Sequence, residues 1–341
     1  MSEPKTHKVS RRAVLAVAAV GAAAVPTIPA LAAHADAGSD FWDTPTGTLW
    51  TIRRGNQRAT LVELGGGLLD YTVDGVPFVD SYPLDSPIKS AGRILCPWPN
   101  RLGNGLYTWN GVAQQVPINE VARNNAIHGL VRWLPWRPVK QSASSITLGT
   151  LLAPSQGYPF PLALTTRWSL GPAGLRVDHT VTNLGTVAAP FALGAHPYFR
   201  IGDALVNDCV LSLHVTTRLL VDDRLLPTGK EPVAGTPYDF STPHAMGAID
   251  LDTAFTGLGR GTDTLARTRL TAPDGHGFEL WQDASFGWVQ LFTGLGPAGR
   301  PRGPLAVEPM TAPPDTFRSG DNLLTLAPHT LFAGSWGVTT F

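Results

Sequence analysis

Short apolar or alternating segments, separated by turn residues, make up most of the chain after residue 40. Residues 175–182 alternate apolar and polar side chains with the period of two typical of a half-buried strand. They follow the apolar segment 162–170 across the turn Gly171-Pro172-Ala173-Gly174, and this arrangement predicts a β-hairpin. Further strands are predicted at residues 60–73, 145–152, 209–220, 268–272, 278–282 and 288–292.

Strands at this density, with almost no helical periodicity between them, predict an all-β protein built as a large antiparallel β-sandwich. The composition agrees, because 341 residues that are 43% hydrophobic can form a large core, while 36 Gly and 30 Pro disfavour long helices. No internal repeat or long linker interrupts the pattern. We therefore expect a single globular domain over residues 38–341.

Residues 1–37 are expected to be an export signal rather than part of the fold. They contain the pair Arg11-Arg12, an Ala/Val-rich stretch, and small-residue sites at 30–32 and 35–37 where a signal could be cleaved. A membrane-spanning helix is disfavoured because alanine, glycine and two prolines make poor spanning material. The twin arginines predict export by the twin-arginine route, with no stable membrane association after cleavage.

The even charge balance of the sequence, and its lack of familiar cofactor motifs, argue against several classes of protein. Lys+Arg and Asp+Glu are 26 each, so no electrostatic argument favours a nucleic-acid partner. The sequence has no Gly-rich phosphate loop, no Gly-x-Ser-x-Gly motif and no His-Glu-x-x-His motif. Cys96 and Cys209 lack the spacing of a zinc site, and they are either one disulfide or two free thiols. We therefore predict no cofactor and no metal.

Four loop segments each hold polar residues among aromatic residues and prolines. They are Pro-Trp-Pro-Asn-Arg at 97–101, Ile-His-Gly at 127–129, Ala-His-Pro-Tyr-Phe at 195–199 and Val-Glu-Pro-Met-Thr at 307–311. Rigid loops of this kind can bring their polar groups together in one pocket. A glutamate within the apolar run around residue 308 is costly to bury, which by itself favours a functional role.

These four segments, in this order, resemble the aldose 1-epimerase (galactose mutarotase) family. The resemblance extends through residues 105–111, 226–229, 237–240 and 251–255, and it covers nearly all of residues 45–341. It implies an antiparallel β-sandwich with a sugar bound in a cleft on one sheet. It also implies interconversion of the α and β anomers of a reducing sugar, with a monosaccharide as the partner and either a monomer or a homodimer as the assembly.

Residue roles follow from the same resemblance. Glu308 is expected to be the catalytic base and His196 the catalytic acid. The residues expected to bind sugar hydroxyls are Asn100, Arg101, His128 and Asp252. Asp250 lies two residues from Asp252 and stays an alternative to it, and Trp98 is the best candidate among the tryptophans for stacking on the sugar.

Three other functions stay open. A glycoside hydrolase needs two carboxylates beside the scissile bond, and Asp252 or Asp315 would have to be the second. A non-catalytic sugar-binding module has the same fold and aromatic residues. A hexose-6-phosphate epimerase would add arginines for the phosphate, and Arg93, Arg123 and Arg132 are available. Export favours a neutral free aldose, because sugar phosphates are held in the cytoplasm.

Overall fold

The computed structural model describes residues 44–85, 90–294 and 302–341. The predicted export signal, residues 1–37, lies outside these ranges. The described residues form 27 short strands, three 3-10 turns (Val121–Arg123, Val131–Trp133 and Val206–Asp208) and one helical turn, α1 (Thr316–Ser319). In this part of the chain, no helix has the length and apolar character needed to cross a membrane.

All the strands are short, and only three of them reach ten residues. The strands of the first half are β1 (Leu49–Arg54), β2 (Gln57–Val62), β3 (Gly67–Val73), β4 (Val76–Pro77), β5 (Ile94–Leu95), β6 (Arg101–Gly103), β7 (Leu106–Trp109), β8 (Val112–Gln115), β9 (Asn125–Ile127), β10 (Arg137–Gln141), β11 (Ser145–Leu152), β12 (Leu162–Gly171) and β13 (Gly174–Asn183). Those of the second half are β14 (Ala189–Phe191), β15 (Gly194–Ala195), β16 (Tyr198–Phe199), β17 (Val210–Leu213), β18 (Thr217–Val221), β19 (Pro227–Pro232), β20 (His244–Ala245), β21 (Asp252–Thr256), β22 (Ala266–Thr271), β23 (Gly277–Gln282), β24 (Trp288–Phe292), β25 (Leu305–Met310), β26 (Leu324–Leu326) and β27 (Leu331–Thr340).

The first large sheet has nine strands in the order β10-β11-β12-β13-β27-β23-β22-β17-β20. The predicted hairpin forms its centre: β12 and β13 pair antiparallel from Leu162 opposite Asn183 to Gly171 opposite Gly174. Alternate residues of both strands are buried, as their period of two predicts. At the turn, a Cβ on Gly174 would lie 2.1 Å from the Val338 carbonyl oxygen, and this residue has φ +104°, so the position favours glycine.

The second large sheet carries the strands that matter for function. Its order is β19-β18-β21-β24-β25-β15-β5, and β16 also pairs with β25. A four-stranded sheet, β1-β2-β3-β4, and three two-stranded ladders complete the structure. Every pairing between the strands is antiparallel.

The core lies between the two large sheets, because one continuous cluster of buried side chains draws residues from both. The nine-stranded sheet contributes Leu164, Trp168, Val177, Leu280 and Trp336, and the eight-stranded sheet contributes Phe255, Val289, Leu291, Leu305 and Val307. Each is at most 2% exposed, and burying one such side chain stabilises a fold by about 1.5–3 kcal/mol. The prediction of a large antiparallel β-sandwich is confirmed.

Two segments that were each predicted as one strand are divided into two strands in the structure. Segment 60–73 is interrupted at Gly65 and Gly66, whose φ angles of +78° and +59° turn the chain from β2 to β3. Segment 209–220 is interrupted after β17, because β17 belongs to the nine-stranded sheet and β18 to the eight-stranded one. An apolar run that crosses between sheets keeps its hydrophobic character, so the sequence alone does not show the break.

Cys96 and Cys209 are both buried free thiols.

Candidate active site

Strand β25 presents Glu308 on the face of its sheet that lies away from the main core. All six residues of β25 are buried, but Leu305 and Val307 belong to the main core whereas Met310 packs in a separate cluster with Trp288. Side chains two apart in a strand share a face, so Glu308 lies on the Met310 face. The sequence pattern could not reveal this orientation, because a strand buried on both faces shows no alternation.

A cavity of about 360 Å³ opens on this face. Its lining includes all six residues singled out from the sequence: Asn100, Arg101, His128, His196, Asp252 and Glu308. It also includes residues that sequence reasoning did not single out for binding, among them Ser90, Glu120, Tyr198 and Phe292. The volume lies within the range of pockets that bind small molecules.

Asn100 and His128 hold each other in place through backbone contacts. The His128 N–H donates to the Asn100 carbonyl oxygen at 2.8 Å, and the Asn100 N–H donates to His128 Nδ1 at 3.1 Å. Both residues have positive φ, +53° and +64°, a conformation that concentrates at functional sites in non-glycine residues. Because Nδ1 accepts a hydrogen bond, the proton of the neutral ring lies on Nε2. Burial, together with the positive charges of nearby groups, holds the pKa of His128 well below 6.5, so the ring is neutral.

Arg101 is oriented by Glu120, which lies 19 residues away in the sequence. Arg101 Nε and Nη2 donate to the Glu120 carboxylate at 3.0 and 3.1 Å, and Asp252 Oδ2 lies 3.8 Å from Nη2. Burial raises the pKa of Glu120, but hydrogen bonds from Arg101 and Asn125 outweigh it, and the pKa lies below its ordinary value. Glu120 is therefore ionised at neutral pH. No sequence signal pointed to it, because the pairing of β6 with β9 is what brings it near Arg101.

His196 and Glu308 face each other inside the cavity. His196 Nε2 lies 3.4 Å from Glu308 Oε1. The imidazole stacks on Tyr198, with ring centroids 4.9 Å apart and planes 13° apart, and it meets the His128 ring edge to face at 5.0 Å. His196 Nδ1 and Glu308 Oε2 are buried without a hydrogen-bond partner among the residues that the structure describes. Both groups therefore have capacity left for a ligand.

Burial opposes charge on both members of this pair. Burial, with smaller contributions from the charges of Arg132 and Arg101, lowers the pKa of His196 to about 3. Burial also raises the pKa of Glu308 well above 4.5, the negative charge of Asp252 adds to that rise, and Arg101 opposes it. When the pair carries a single proton, burial therefore favours its position on Glu308 over His196.

The structure distinguishes Asp252 from the other aspartates considered. Asp252 lines the cavity, and its Oδ1 accepts a hydrogen bond from Gln290 Nε2 at 2.6 Å. The side chain of Asp250 is 94% exposed and pairs with Arg302 instead. Asp315 does not line the cavity either, since its Oδ1 accepts from the Gly103 N–H and its Oδ2 pairs with Arg318.

The structure does not support Trp98, the best stacking candidate among the tryptophans, as a residue that contacts a ligand. Trp98 is 2% exposed, packs edge to face on Phe317, and does not line the cavity. Aromatic surface in the cavity comes from Tyr198 and Phe292. Tyr198 lies in the segment around His196, whereas Phe292 lies in a predicted strand and carried no sign of contact with a ligand.

The chemistry available at this site is hydrogen bonding to polar groups and proton transfer. Carboxylates and amide oxygens can accept hydrogen bonds from hydroxyl groups, and Arg101 and His128 Nε2 can donate to them. The Glu308–His196 pair can take up and release a proton. Within residues 44–85, 90–294 and 302–341, no group of three or more His, Cys, Asp or Glu side chains is placed to hold a metal ion.

The fold is shared by solved structures of galactose mutarotase-like proteins. A GalM/aldose epimerase homologue from C. elegans superposes with a TM-score of 0.76 at 18% identity, covering 86% of this chain and 98% of the other. The galactose 1-epimerase of Lactobacillus acidophilus NCFM superposes with a TM-score of 0.70 at 19% identity, covering 86% and 98%. These likenesses define the class of fold, a galactose mutarotase-like β-sandwich.

Sequence comparison defines the family. The family model described as aldose 1-epimerase matches residues 48–335, and the chain belongs to that family. The uncharacterized protein YihR of Escherichia coli K12 is 35% identical over 298 residues, 86% of this chain and 94% of its own length. Human galactose mutarotase is 29% identical over 165 residues, 46% of each chain.

Proposed function

We propose that this protein is an aldose 1-epimerase that interconverts the α and β anomers of an aldose by opening and closing its ring. The observation that carries this proposal is the buried Glu308–His196 pair, with 3.4 Å between carboxyl and imidazole, at a cavity whose other polar groups suit hydroxyls. Membership in the aldose 1-epimerase family supports it. The proposed chemistry needs only proton transfer, so the route uses no cofactor.

Ring opening requires two proton transfers. A base takes the proton of the anomeric hydroxyl, and an acid protonates the ring oxygen as its bond to the anomeric carbon breaks. In our proposal Glu308 is the base and His196 the acid. Rotation about the bond between the first two carbons then exposes the other face of the carbonyl, and closure uses the same two groups in exchanged roles.

The proton balance of the pair fits this cycle. Opening converts ionised Glu308 and protonated His196 into neutral Glu308 and neutral His196, and closure restores the ionic pair. The pair thus carries one proton in both states. Because Nε2 and Oε1 lie 3.4 Å apart, the proton can also return directly from carboxyl to imidazole, which makes the ionic form accessible from the neutral form.

The remaining polar groups position the sugar in this proposal. Arg101 is locked by Glu120, so its guanidinium offers a fixed pair of donors to adjacent hydroxyls. Asp252 is held by Gln290 and accepts from a hydroxyl. His128 donates through Nε2, because its Nδ1 is already an acceptor.

A sugar-binding module without catalysis accounts less well for Glu308. A carboxyl that is 2% exposed, with one oxygen unpartnered in the described part of the chain, costs folding free energy, and binding hydroxyls does not require it. A glycoside hydrolase is disfavoured because Asp315 lies outside the cavity and Asp252 is engaged by Gln290 and Arg101.

The direct test is mutarotation. Freshly dissolved α-glucose and α-galactose are followed by polarimetry and NMR, with and without purified protein lacking residues 1–37. We expect faster relaxation to the anomeric equilibrium that a chelator does not slow. Unchanged spontaneous rates for several aldoses, together with saturable sugar binding by calorimetry, would instead establish a binding module.

We also propose that the protein leaves the cytoplasm folded through the twin-arginine route, on the sequence of residues 1–37. Replacing both Arg11 and Arg12 by Lys should leave uncleaved precursor inside the cell. The matched control replaces Lys5 and Lys8 by Arg. Normal secretion of the double-lysine variant would assign the general secretory route.

A further inference from the structure

Arg132 differs from the other arginines of the cavity in its partners. Arg101 and Arg123 both pair with Glu120. Arg132 is 6% exposed, and within the described residues it pairs with no carboxylate: it donates to Ser90 Oγ, and its Nε is buried without a partner. A buried guanidinium whose charge is not balanced is costly to the fold, which points to a function for it.

The surroundings of Arg132 are positive and apolar. Its guanidinium lies over one ring of Trp133 at 4.7 Å, and the guanidinium of Arg93 lies over the same ring system at 4.8 Å. Burial lowers the pKa of Arg132 to about 10, and the charge of Arg93 contributes to this. Among the described residues Arg132 thus has an indole face and a second guanidinium beside it but no carboxylate, so its own charge can attract an anion.

This region lies on the histidine side of the cavity. The charge of Arg132 acts on His196 and His128, lowering the pKa of each, whereas the pKa of Glu308 responds to Asp252 and Arg101. The cavity therefore has two different ends, one with carboxylates and one with the Arg132 guanidinium, which pairs with no carboxylate among the described residues. Ser90 lines the Arg132 end and is fully buried. Its oxygen accepts from Arg132, and within residues 44–85, 90–294 and 302–341 its hydroxyl proton has no acceptor, so it can donate to a ligand.

We propose that Arg132 and Ser90, beside His128, form an anion subsite that binds an oxyanionic substituent of the sugar. This inference rests on the proposed function for the sugar itself, and it assigns the substrate class as an aldose carrying a carboxylate or a phosphate. A guanidinium with free N–H groups binds either oxyanion through charge-assisted hydrogen bonds. It departs from the neutral aldose expected from export, although a sugar carboxylate is compatible with that location.

The test compares three sugars that share the glucose ring: glucose, glucuronate and glucose 6-phosphate. Relaxation of the anomeric NMR signals gives kcat/KM for each. We expect one or both anionic sugars to exceed glucose by about 10- to 100-fold, the range for charge-assisted hydrogen bonds to a buried group. Which of the two is preferred distinguishes a carboxylate from a phosphate substrate.

The Arg132→Gln variant should reduce the ratio of kcat/KM between the anionic sugar and glucose at least ten-fold, and Arg132→Lys should restore part of it. The matched control is Arg54→Gln, an exposed arginine of β1 that should leave the ratio unchanged. Equal kcat/KM for glucose and both anionic sugars in the wild type would overturn the subsite. A loss of the same factor for all sugars in both Arg132 variants would also overturn it, since that result marks a purely structural arginine.

Failure of the subsite is distinguishable from failure of the proposed function. Accelerated mutarotation of glucose without any preference for anionic sugars contradicts the subsite alone. If no sugar is epimerised, dissociation constants for glucose and glucuronate are measured by calorimetry. Tighter binding of glucuronate that Arg132→Gln abolishes would uphold the subsite while the epimerase function fails, and equal binding would refute the subsite.

Discussion

Replacing Glu308 by Gln tests the proposed mechanism most directly. The amide has nearly the shape of the carboxyl but cannot accept the anomeric proton. A single positioned proton-transfer group contributes about 100- to 10,000-fold to a rate, or roughly 3–5 kcal/mol. His196, with its pKa of about 3, would hold a proton in only about one molecule in ten thousand at pH 7 once the shared proton is lost. The loss in kcat should therefore lie near the upper end, about 10,000-fold.

The fold should not suffer from this substitution. Burial raises the pKa of Glu308 well above 4.5, so an amide introduces no new buried charge and removes a group that is costly to ionise. We expect a free energy of unfolding at pH 7 no lower than that of the wild type, measured by urea titration. Glu279→Gln is the matched control, because Glu279 pairs with Arg267 in the nine-stranded sheet and does not line the cavity.

The assay is relaxation of optical rotation after subtraction of the spontaneous rate. His196→Asn should lose a similar factor, and the double variant should be little slower than either single variant, because the two groups share one proton and act as a unit. A Glu308→Gln protein that is folded and turns over within ten-fold of the wild type would refute the assignment of the base.

Three further outcomes follow from the geometry of the site. On the acid side, kcat/KM should fall only as the pH approaches about 3, where His196 takes up a proton and the pair then holds two. On the alkaline side, kcat/KM should fall at a pH well above 4.5, where Glu308 loses the shared proton. An acid limb near pH 6.5 would contradict the buried neutral imidazole. Asp252→Asn should raise KM. It should also move the alkaline limb of the kcat/KM profile to lower pH, because the charge of Asp252 raises the pKa of Glu308. An alkaline limb at the wild-type pH would show that the two carboxyls are not coupled. Glu120→Gln removes the ionic partner of Arg101, so it should raise KM about ten-fold with a smaller change in kcat. It should also lower the free energy of unfolding by roughly 2–3 kcal/mol. A KM equal to that of the wild type in a sugar titration would show that Arg101 does not need Glu120 for binding.

The sequence by itself determined the local features of this protein. Alternation at residues 175–182 and the glycine-bounded turn before them predicted the central hairpin, because side chains of a half-buried strand must alternate and a tight turn needs glycine. The order of the four polar segments predicted the family, and the resemblance as a whole, which includes residues 251–255, supplied six residues that the structure places around one cavity. The twin-arginine segment is likewise a property of sequence alone, and it stays a prediction.

Only the tertiary structure decided how distant segments meet. The Glu120–Arg101 pair depends on the pairing of β6 with β9, and the exposed Asp250 pairs with Arg302, which lies 52 residues away in the sequence. Burial of both faces of β25 removed the alternation that would have shown where Glu308 points.

Trp98 and Arg132 illustrate the same limit from opposite directions. Trp98, next to the Asn-Arg segment, packs into the core. Of the three arginines that the sequence left available for a phosphate, Arg132 lines the cavity without a carboxylate partner among the described residues, whereas Arg123 pairs with Glu120. Local hydrophobicity and turn preferences are encoded over a few residues, so they are readable along the chain. Burial, charge balance and the pKa of a side chain depend on neighbours that only folding brings within a few ångströms, and these are the properties that determine the chemistry of the site.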